Sequence, residues 1–320
     1  MKRFLRLILR LTIVLAVAIL VARFLFPLPD ISGRAPSLAI SISPVTTIGS
    51  KAIDEHSAHP GKSGVLPLRN GQDALASRME LIAAAEASID AQYYIWHDDT
   101  SGTLLLEALY KAANRGVRVR LLLDDNGVPG LDSFMAALDA HENFEIRLFN
   151  PSSIRSPKLL GYSFDFFRMN RRMHNKSLIV DGAVAIIGGR NIGDEYFEVG
   201  DDNFYADMDV LAVGTIVPET ASVFDQYWNS QSVFEAKTIL QAAGDMSGFE
   251  ERALDIRNGD DAIEFLQDVN DSASEYANAI TQLEWTDVQL VADDPVKGLG
   301  IAAREQLMIT RLGEILGGVE

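Results

Sequence analysis

The chain has 320 residues, 48 % of them hydrophobic, and a formal net charge of −17. This length accommodates one large or two medium domains with a substantial core. The first 23 residues hold five basic residues and no acidic one, so the rest of the chain carries a charge of −22, which disfavours DNA and RNA as partners. The chain has no cysteine, which excludes disulfide bonds and a thiolate nucleophile.

The amino-terminal segment contains an apolar run over residues 11–22 with basic residues on both sides. A spanning helix needs about 20 apolar residues, and the run reaches that length when Arg10 and Arg23 extend toward the lipid headgroups. We predict that residues 1–29 form an uncleaved membrane anchor. The positive-inside rule orients its amino end in the cytoplasm and the rest of the chain on the non-cytoplasmic side. The alternative is a cleaved signal peptide, which would leave a secreted protein.

The body of the chain alternates between helix and strand patterns. Residues 30–65 contain Pro, Ser, Gly and mixed charge without periodicity, which is typical of a linker. Helices are then predicted at 71–87, 103–114, 133–141 and 218–229, and strands at 88–96, 117–123 and 144–148. This alternation predicts an α/β domain over residues 66–235, with helices on both faces of a sheet. In such sheets ligands bind beyond the strand ends, which is where Tyr94 and Asp124 would lie.

The pattern H-x-K-x4-D-x6-G-G-x-N occurs once, over residues 174–191. His174 and Lys176 are two apart on a predicted strand and therefore project from the same face. An imidazole beside a fixed ammonium can attack a phosphodiester, because the ring bonds to phosphorus while the cation holds the phosphate oxygens. The alternative for an isolated H-x-K is two solvated side chains on an edge strand. The full pattern favours phosphoryl-group chemistry without a required metal.

The rest of this pattern predicts a hairpin. Asp181 and Gly182 form a strong two-residue turn signal between strands at 176–180 and 183–187. An ordinary hairpin also favours Asp at this position, so we interpret Asp181 as a supporting residue. Gly188 and Gly189 allow the backbone to approach a ligand closely, and Asn191 can donate a hydrogen bond to a phosphate oxygen.

Other charged residues have weaker interpretations. A basic patch in and before the motif could hold a phosphate headgroup or be a solvated face: Arg168, Arg171, Arg172, Lys176 and Arg190. The paired acidic residues at 98–99, 124–125 and 201–202 are interpreted as strand ends, helix caps or turns, so no metal is expected. The chain lacks the common zinc, Walker and dinucleotide motifs, and no cofactor is expected.

His174, Lys176, Asp181 and residues 188–191 resemble the HKD signature of the phospholipase D superfamily. Four further stretches resemble the bacterial cardiolipin synthases, with cardiolipin synthase C as the nearest subgroup: 89–96, 116–126, 170–174 and 191–194. The resemblance is strong over residues 65–235, with the phosphodiesterase motif at 168–195. It implies a mixed sheet of the phospholipase D type and an enzyme of the bacterial inner membrane. It also implies phospholipid substrates, such as phosphatidylglycerol and phosphatidylethanolamine.

The resemblance also implies roles for the site residues. In this superfamily one histidine forms a phosphatidyl-histidine intermediate, and a histidine of a second motif protonates the leaving group and then activates the acceptor. His174 would take one of these roles, and Lys176, Asn191 and Gly189 would hold phosphate. An acidic residue after the motif would orient the imidazole, with Asp207 as the candidate and Asp209 as the alternative. The implied reaction is phosphatidyl transfer, and phospholipid hydrolysis is the alternative.

A second motif is absent, because none of the other four histidines has a lysine two positions later. Either two copies of the chain pair across a two-fold axis to complete one site, or the chain is the amino-terminal part of a longer enzyme. The second interpretation is favoured by a strand pattern at 284–295 and a helix pattern at 302–316. We interpret residues 236–283 as a helical connector and 284–320 as the start of an incomplete second half. A third possibility is an inactive half-enzyme that only binds lipid or another protein.

Overall fold

The computed structural model of the protein describes residues 2–200, 204–267 and 283–317. Among these residues nine strands form one sheet in the order β8-β4-β3-β2-β5-β6-β7-β1-β9. The strands are β1 Ser63–Leu68, β2 Ser88–Tyr93, β3 Arg118–Asp124, β4 Phe144–Phe149, β5 Ser177–Val180, β6 Val184–Gly188, β7 Asp209–Gly214, β8 Val233–Glu235 and β9 Glu284–Thr286. Strands β2, β3 and β4 are parallel, and the other neighbouring pairs are antiparallel. The sheet is therefore mixed, as expected.

Helices cover both faces of this sheet, which confirms the predicted fold class. They are α1 Lys2–Leu25, α2 Thr47–Ala58, α3 Gly71–Ala84, α4 Thr100–Asn114, α5 Asp132–Leu138, α6 Leu159–Met169, α7 Asp194–Phe197, α8 Ile216–Trp228, α9 Ala236–Ile239, α10 Met246–Arg257 and α11 Met308–Gly317. Residues 260–267 are also helical. Helices α3, α4, α5 and α10 share one buried apolar cluster with the sheet, and α8 contributes to a second cluster on the other face.

Strand β3 explains how the two clusters are built from one sequence. Its apolar side chains alternate between the faces, so that Leu121 and Leu123 enter the first cluster and Leu122 enters the second. Arg120 is buried among them and pairs with Asp90 at 2.6 Å and with Asp225 of α8 at 2.8 Å. These carboxylates compensate a charge that burial alone would make costly.

Helix α1 is the one candidate membrane span among the described residues, over Arg3–Leu25, with a mean hydropathy of 2.5. None of its most apolar window is buried within the protein. A length of 23 residues at about 1.5 Å per residue exceeds the roughly 30 Å hydrocarbon core. Length and composition therefore agree with the predicted membrane helix, and a signal sequence would share them.

The prediction of an irregular linker over residues 30–65 is wrong for its second half. Helix α2 begins after Thr46, whose side chain accepts a hydrogen bond from the Gly49 amide at 3.1 Å. Strand β1 begins at Ser63 and pairs with β7 over six residues. The sequence of this segment shows no apolar periodicity. Its structure is fixed by the N-cap of α2 and by the long-range pairing of β1 with β7.

The segment after residue 283, predicted to begin a second half, joins the main sheet in this structure. The strand predicted over 284–295 covers three residues, and β9 extends the same sheet by pairing with β1. The predicted helix at 302–316 is observed as α11, which starts at Met308. The predicted connector contains α9, α10 and the helix at 260–267, while residues 268–282 lie outside the described residues, as does the acidic pair at 201–202.

Candidate active site

The loop before β5 places His174 at the edge of the sheet where the parallel strands end. Asp124, the last residue of β3, accepts hydrogen bonds from the Met173 amide at 2.9 Å and from Arg172 Nη1 at 2.8 Å. Met173 is fully buried in the second cluster. Burial raises the pKa of Asp124 to about 6, although the charge of Arg172 opposes this rise. Asp124 is thus a positioning residue for the segment that carries His174.

The His174 imidazole is oriented by its own loop. Its Nδ1 lies 3.3 Å from the carbonyl oxygen of Arg172, and because a carbonyl can only accept, Nδ1 carries the proton and Nε2 has a free lone pair. The ring packs on Tyr94, with the centroids 4.4 Å apart. Burial lowers the pKa of His174, and the charges of Lys297 and Lys176 lower it further. The ring is therefore neutral and nucleophilic at neutral pH.

Lys176 lies on the same side of the chain as His174. Its Nζ donates a hydrogen bond to the His174 carbonyl at 2.8 Å and lies 5.7 Å from the centroid of the Tyr94 ring. Burial lowers the pKa of Lys176, while the charges of Asp207 and Asp209 oppose this shift. The ammonium group is thus held at the backbone of His174, and both side chains contact the Tyr94 ring. The prediction that the two residues lie on a strand is wrong, because β5 begins at Ser177.

Two cavities meet at His174. The first has a volume of about 350 Å³ and is lined by His174, Lys176 and Gly189, together with apolar side chains that include Val223 of α8 and Leu290. The second has a volume of about 370 Å³ and is lined by His174 with Arg171, Arg172 and Lys297. The imidazole therefore faces a mostly apolar space on one side and a cationic space on the other.

The two glycines of the motif are required by neighbouring carboxylates. A Cβ atom on Gly188 would lie 2.0 Å from Oδ1 of Asp209, and one on Gly189 would lie 1.9 Å from Oδ1 of Asp207. Both distances are far below a van der Waals contact, so a side chain at either position would displace an acidic residue. The glycines thus allow β6 and the start of β7 to approach each other beside Lys176, and Gly189 remains part of the cavity wall.

Neither acidic candidate contacts the imidazole. Asp207 is half-buried, and its Oδ1 accepts a hydrogen bond from the Met208 amide at 2.8 Å. Asp209 is fully buried and pairs with Arg78 at 2.8 Å and with Arg190 at 3.7 Å. The expectation that Asp207 orients His174 is not met in this structure, because the Arg172 carbonyl takes that position and the charge of Asp207 acts on Lys176 instead.

Asp181 lies away from the cavities, at the other end of β5. Its carboxylate accepts hydrogen bonds from the amides of Glu86, Ala87 and Ser88, and β5 separates it from Ser177 by roughly 13 Å at about 3.3 Å per residue. Asp181 and Gly182 both have positive φ angles, as in a type I′ hairpin turn. Asp181 shares the motif with His174 and Lys176, but its side chain holds the hairpin to the start of β2.

Asn191 also has other partners than a phosphate. Its Oδ1 accepts from the Ile95 amide at 3.1 Å and its Nδ2 donates to the Tyr196 hydroxyl at 2.9 Å. The side chain is buried and does not line either cavity. Asn191 therefore connects the end of β6 to the chain after β2. Its side chain is not positioned for the predicted contact with a phosphate in either cavity.

The basic patch divides into two groups. Arg171, Arg172 and Lys176 line the cavities. Arg190 is fully buried and donates to the carbonyls of Leu68, Arg69 and Tyr196, and Arg168 pairs with Asp165. Arg172 is also engaged, because it pairs with Asp124 and donates to the carbonyls of Asn150 and Met169. Of these five residues, Arg171 and Lys176 are therefore the ones available to an anionic ligand.

Sequence reasoning missed Lys297 as a site residue. It lies in the segment after β9, where it pairs with Asp293 and lines the cationic cavity. The spacing of Asp293 and Lys297, four residues apart around Pro295, is a local signal for a pair on one turn. That signal does not indicate that the turn packs against a histidine more than 100 residues earlier.

One group of side chains among the described residues could hold a metal ion. Potential ligand atoms of His97, Asp99 and Glu195 lie within 4.8 Å of one another. The Asp99 carboxylate already caps α4 by accepting from the Gly102 amide at 2.9 Å, and it accepts from the Asp194 amide at 2.8 Å. This agrees with the interpretation of residues 98–99 as a helix cap, and the group lines neither cavity at His174.

Comparison with known proteins places this geometry in a family. Residues 79–228 match the family described as cardiolipin synthase, PLD-like domain. The chain is 46 % identical over 264 residues to cardiolipin synthase C of Escherichia coli (strain K12), covering 82 % of this chain and 56 % of that protein. It is 42 % identical over 195 residues to an uncharacterized protein of Helicobacter pylori (strain 26695), covering 60 % of this chain and 39 % of that one.

The major cardiolipin synthase ClsA of Bacillus subtilis (strain 168) is 29 % identical over 189 residues, covering 59 % of this chain and 38 % of the relative. The chain thus spans about half the length of cardiolipin synthase C and less of the other two relatives. The matched residues contain β2 to β7 and the whole HKD motif. The chain therefore belongs to the phospholipase D superfamily, through a PLD-like domain of the cardiolipin synthase type.

Proposed function

We propose that this chain supplies one half of the active site of a membrane-bound phosphatidyltransferase of the cardiolipin synthase type. The observation that carries the proposal is the position of His174, a neutral imidazole where two cavities meet. Lys176 lies in the first cavity and Arg171 and Lys297 in the second. The phosphate of a donor lipid could therefore bind beside Lys176 while the phosphate of an acceptor lipid binds in the cationic cavity.

The chemistry begins with His174 Nε2. Its lone pair attacks the phosphorus of the donor lipid, an N–P bond forms, and the bond from phosphorus to the oxygen of the departing headgroup breaks. Lys176 stabilises the charge that develops on the phosphate oxygens. The hydroxyl of the acceptor lipid then attacks phosphorus, the N–P bond breaks, and the imidazole is regenerated.

Both steps need a second group that moves a proton. The departing oxygen must receive a proton in the first step, and the acceptor hydroxyl must lose one in the second. Proton transfer of this kind contributes about 10²–10⁴ to a rate. His174 cannot supply the first proton while it is bonded to phosphorus, so we infer that a second histidine completes the site, from another copy of the chain or from a second half.

The region after β9 favours a second half of the same enzyme as the source of that histidine. Leu290 and Met308 line the first cavity, and Lys297 lines the other, so the chain beyond β9 already forms walls on both sides of His174. We infer that residues 284–317 begin the half that would complete the enzyme. Pairing of two identical chains remains the competing arrangement, in which each chain would contribute one histidine.

The proposed lipids follow from the names of the relatives, which are cardiolipin synthases, and from the cavities. Phosphatidylglycerol is the proposed acceptor, because its headgroup carries the free hydroxyl that attacks phosphorus. Phosphatidylglycerol or phosphatidylethanolamine is the donor, with its phosphate beside Lys176. A phospholipase D that transfers the phosphatidyl group to water is the second candidate, since water needs no acceptor pocket. We also propose that α1 anchors the chain in the bacterial inner membrane with the sheet on the non-cytoplasmic side.

The test uses the full chain in proteoliposomes of phosphatidylglycerol and phosphatidylethanolamine, with the products followed by mass spectrometry. Cardiolipin formed by the wild type and lost in His174→Ala would support a transferase. Phosphatidic acid in place of cardiolipin would identify a hydrolase. Absence of any product would mean that this chain alone is not an enzyme, and a lipid-binding or interaction role would then be favoured.

Mixing experiments separate the two ways of completing the site. If two copies share one centre, a mixture of equal amounts of wild type and His174→Ala leaves both histidines in only about a quarter of the pairs, because pairing is random. Activity per wild-type chain would then fall by about half. An activity that follows the amount of wild-type chain in simple proportion would exclude pairing.

A further inference from the structure

Helix α6 exposes apolar side chains instead of burying them. Four of them are more than half exposed: Leu159, Leu160, Phe166 and Phe167. They form two pairs, one before and one after a kink at Asp165, whose φ of −131° is not helical, while Phe164 and Met169 are buried. A surface helix of a soluble protein directs its apolar stripe to the core. These four outward apolar side chains indicate that α6 has an apolar partner outside the fold.

The position of α6 next to α1 identifies that partner. Arg23 Nε donates to the Phe164 carbonyl at 2.9 Å, and the Arg23 guanidinium lies 3.7 Å from Asp165. The rings of Phe26 and Phe164 stack with centroids 6.2 Å apart. Arg23 lies in the last turn of α1, the candidate membrane span, and Phe26 follows that helix directly. The exposed side chains of α6 would therefore lie where α1 leaves a bilayer.

The charge around α6 agrees with a membrane surface. Residues 155–176 contain six basic residues and one acidic residue, in a chain with a net charge of −17. Four of the six pair with carboxylates of the protein. Arg171 and Lys176 form no ion pair within the part of the chain that the structure describes. Basic side chains close to a membrane are attracted to anionic lipids, while the acidic remainder of the body is repelled.

We propose that α6 lies in the membrane interface and that its outward face inserts into the lipid bilayer beside α1. Interfacial helices bury their apolar face about 5–10 Å into the boundary between headgroups and acyl chains. His174 follows the last residue of α6, Met169, by five residues, which span at most about 18 Å. The insertion of α6 would therefore hold His174 at the level of the headgroups. This inference does not depend on catalysis, and it specifies which face of the protein meets the lipid.

The absence of cysteine makes a direct test possible. Phe167→Cys and Leu160→Cys, each labelled with a nitroxide in the full chain, are reconstituted in vesicles of phosphatidylglycerol and phosphatidylethanolamine. Collision with oxygen, which concentrates in lipid, is compared with collision with a water-soluble nickel complex by electron paramagnetic resonance. Both side chains are exposed, so the substitutions should leave the fold intact, and circular dichroism checks this.

A matched control lies at the other end of the sheet. Ser57 of α2 is exposed and lines a cavity with Gly182, in the turn that follows β5. A label at Ser57→Cys should collide more with nickel than with oxygen. The labels at 160 and 167 should show the reverse, by a factor of several.

Two results would overturn the proposal. If the labels at 160 and 167 are as accessible to nickel as the label at 57, the face lies in water. If they are protected from both reagents and immobilised, a protein surface such as a second copy of the chain covers them. Because the readout needs no activity, a failed lipid-transfer assay does not affect this test.

Discussion

Replacing Asp209 with asparagine should destabilise the fold without changing any residue that lines the two cavities at His174. The carboxylate lies between two buried guanidinium groups, 2.8 Å from Arg78 and 3.7 Å from Arg190, and all three residues are 2 % exposed or less. Asparagine keeps the shape but removes the charge, so two buried cations remain without compensation. Loss of one partner of a buried ion pair costs about 3–5 kcal/mol.

This cost translates into a measurable fall in the melting temperature. For a domain of this size 1 kcal/mol corresponds to about 2–4 °C, so Asp209→Asn should melt roughly 10 °C below the wild type. Intrinsic fluorescence in detergent is a suitable probe, because Trp96 and Trp228 are both buried. Asp207→Asn is the matched control, and its melting temperature should stay within about 2 °C of the wild type since it forms no comparable pair. Equal melting temperatures for Asp209→Asn and the wild type would mean that the charge of Asp209 does not stabilise the fold.

Three further predictions concern the motif. The pKa of His174 lies below its ordinary 6.5, so the ring stays neutral to lower pH. An NMR titration of His174 should therefore give a midpoint below 6.5, and Lys297→Gln should raise that midpoint. A midpoint above 6.5 in the wild type would contradict this prediction. Gly188→Ala places a Cβ 2.0 Å from a carboxylate oxygen and should lower the free energy of unfolding, measured by denaturant titration, by about 1–3 kcal/mol. The control is Gly33→Ala, whose Cβ meets no atom within 4 Å, and it should leave the free energy of unfolding unchanged. Asp181→Asn keeps the positive φ angle but weakens three hydrogen bonds; it should cost about 1–3 kcal/mol and leave the His174 titration unchanged, and a shifted titration would argue for a role in the site.

The parts of the fold that could be predicted from the sequence depend on local patterns. The hairpin of β5 and β6 follows from alternating apolar residues around Asp181 and Gly182, and the observed pairing of Val180 with Val184 agrees with it. The proximity of His174 and Lys176 follows from the period of two along an extended chain. These features need no information about distant residues.

The parts that could not be predicted depend on partners far along the chain. The Asp181 carboxylate binds amides about 95 residues earlier, and Asn191 binds the amide of Ile95. Asp181 and Asn191 belong to a motif that indicates phosphate chemistry, but their side chains bind backbone amides and so join the β2 region to the hairpin. Lys297 reaches His174 only because the segment after β9 returns to the sheet edge, which no local pattern reveals.

The claim that His174 is a nucleophile is tested most directly with a phosphatidyl ester of p-nitrophenol. Nitrophenolate departs without a proton, so half a site should suffice for the first step even when the second histidine is absent. We expect a burst of one nitrophenolate per chain and a phosphatidyl group on His174, found by mass spectrometry and absent from His174→Ala. A wild-type chain that releases no nitrophenolate, or a burst that persists in His174→Ala, would contradict it.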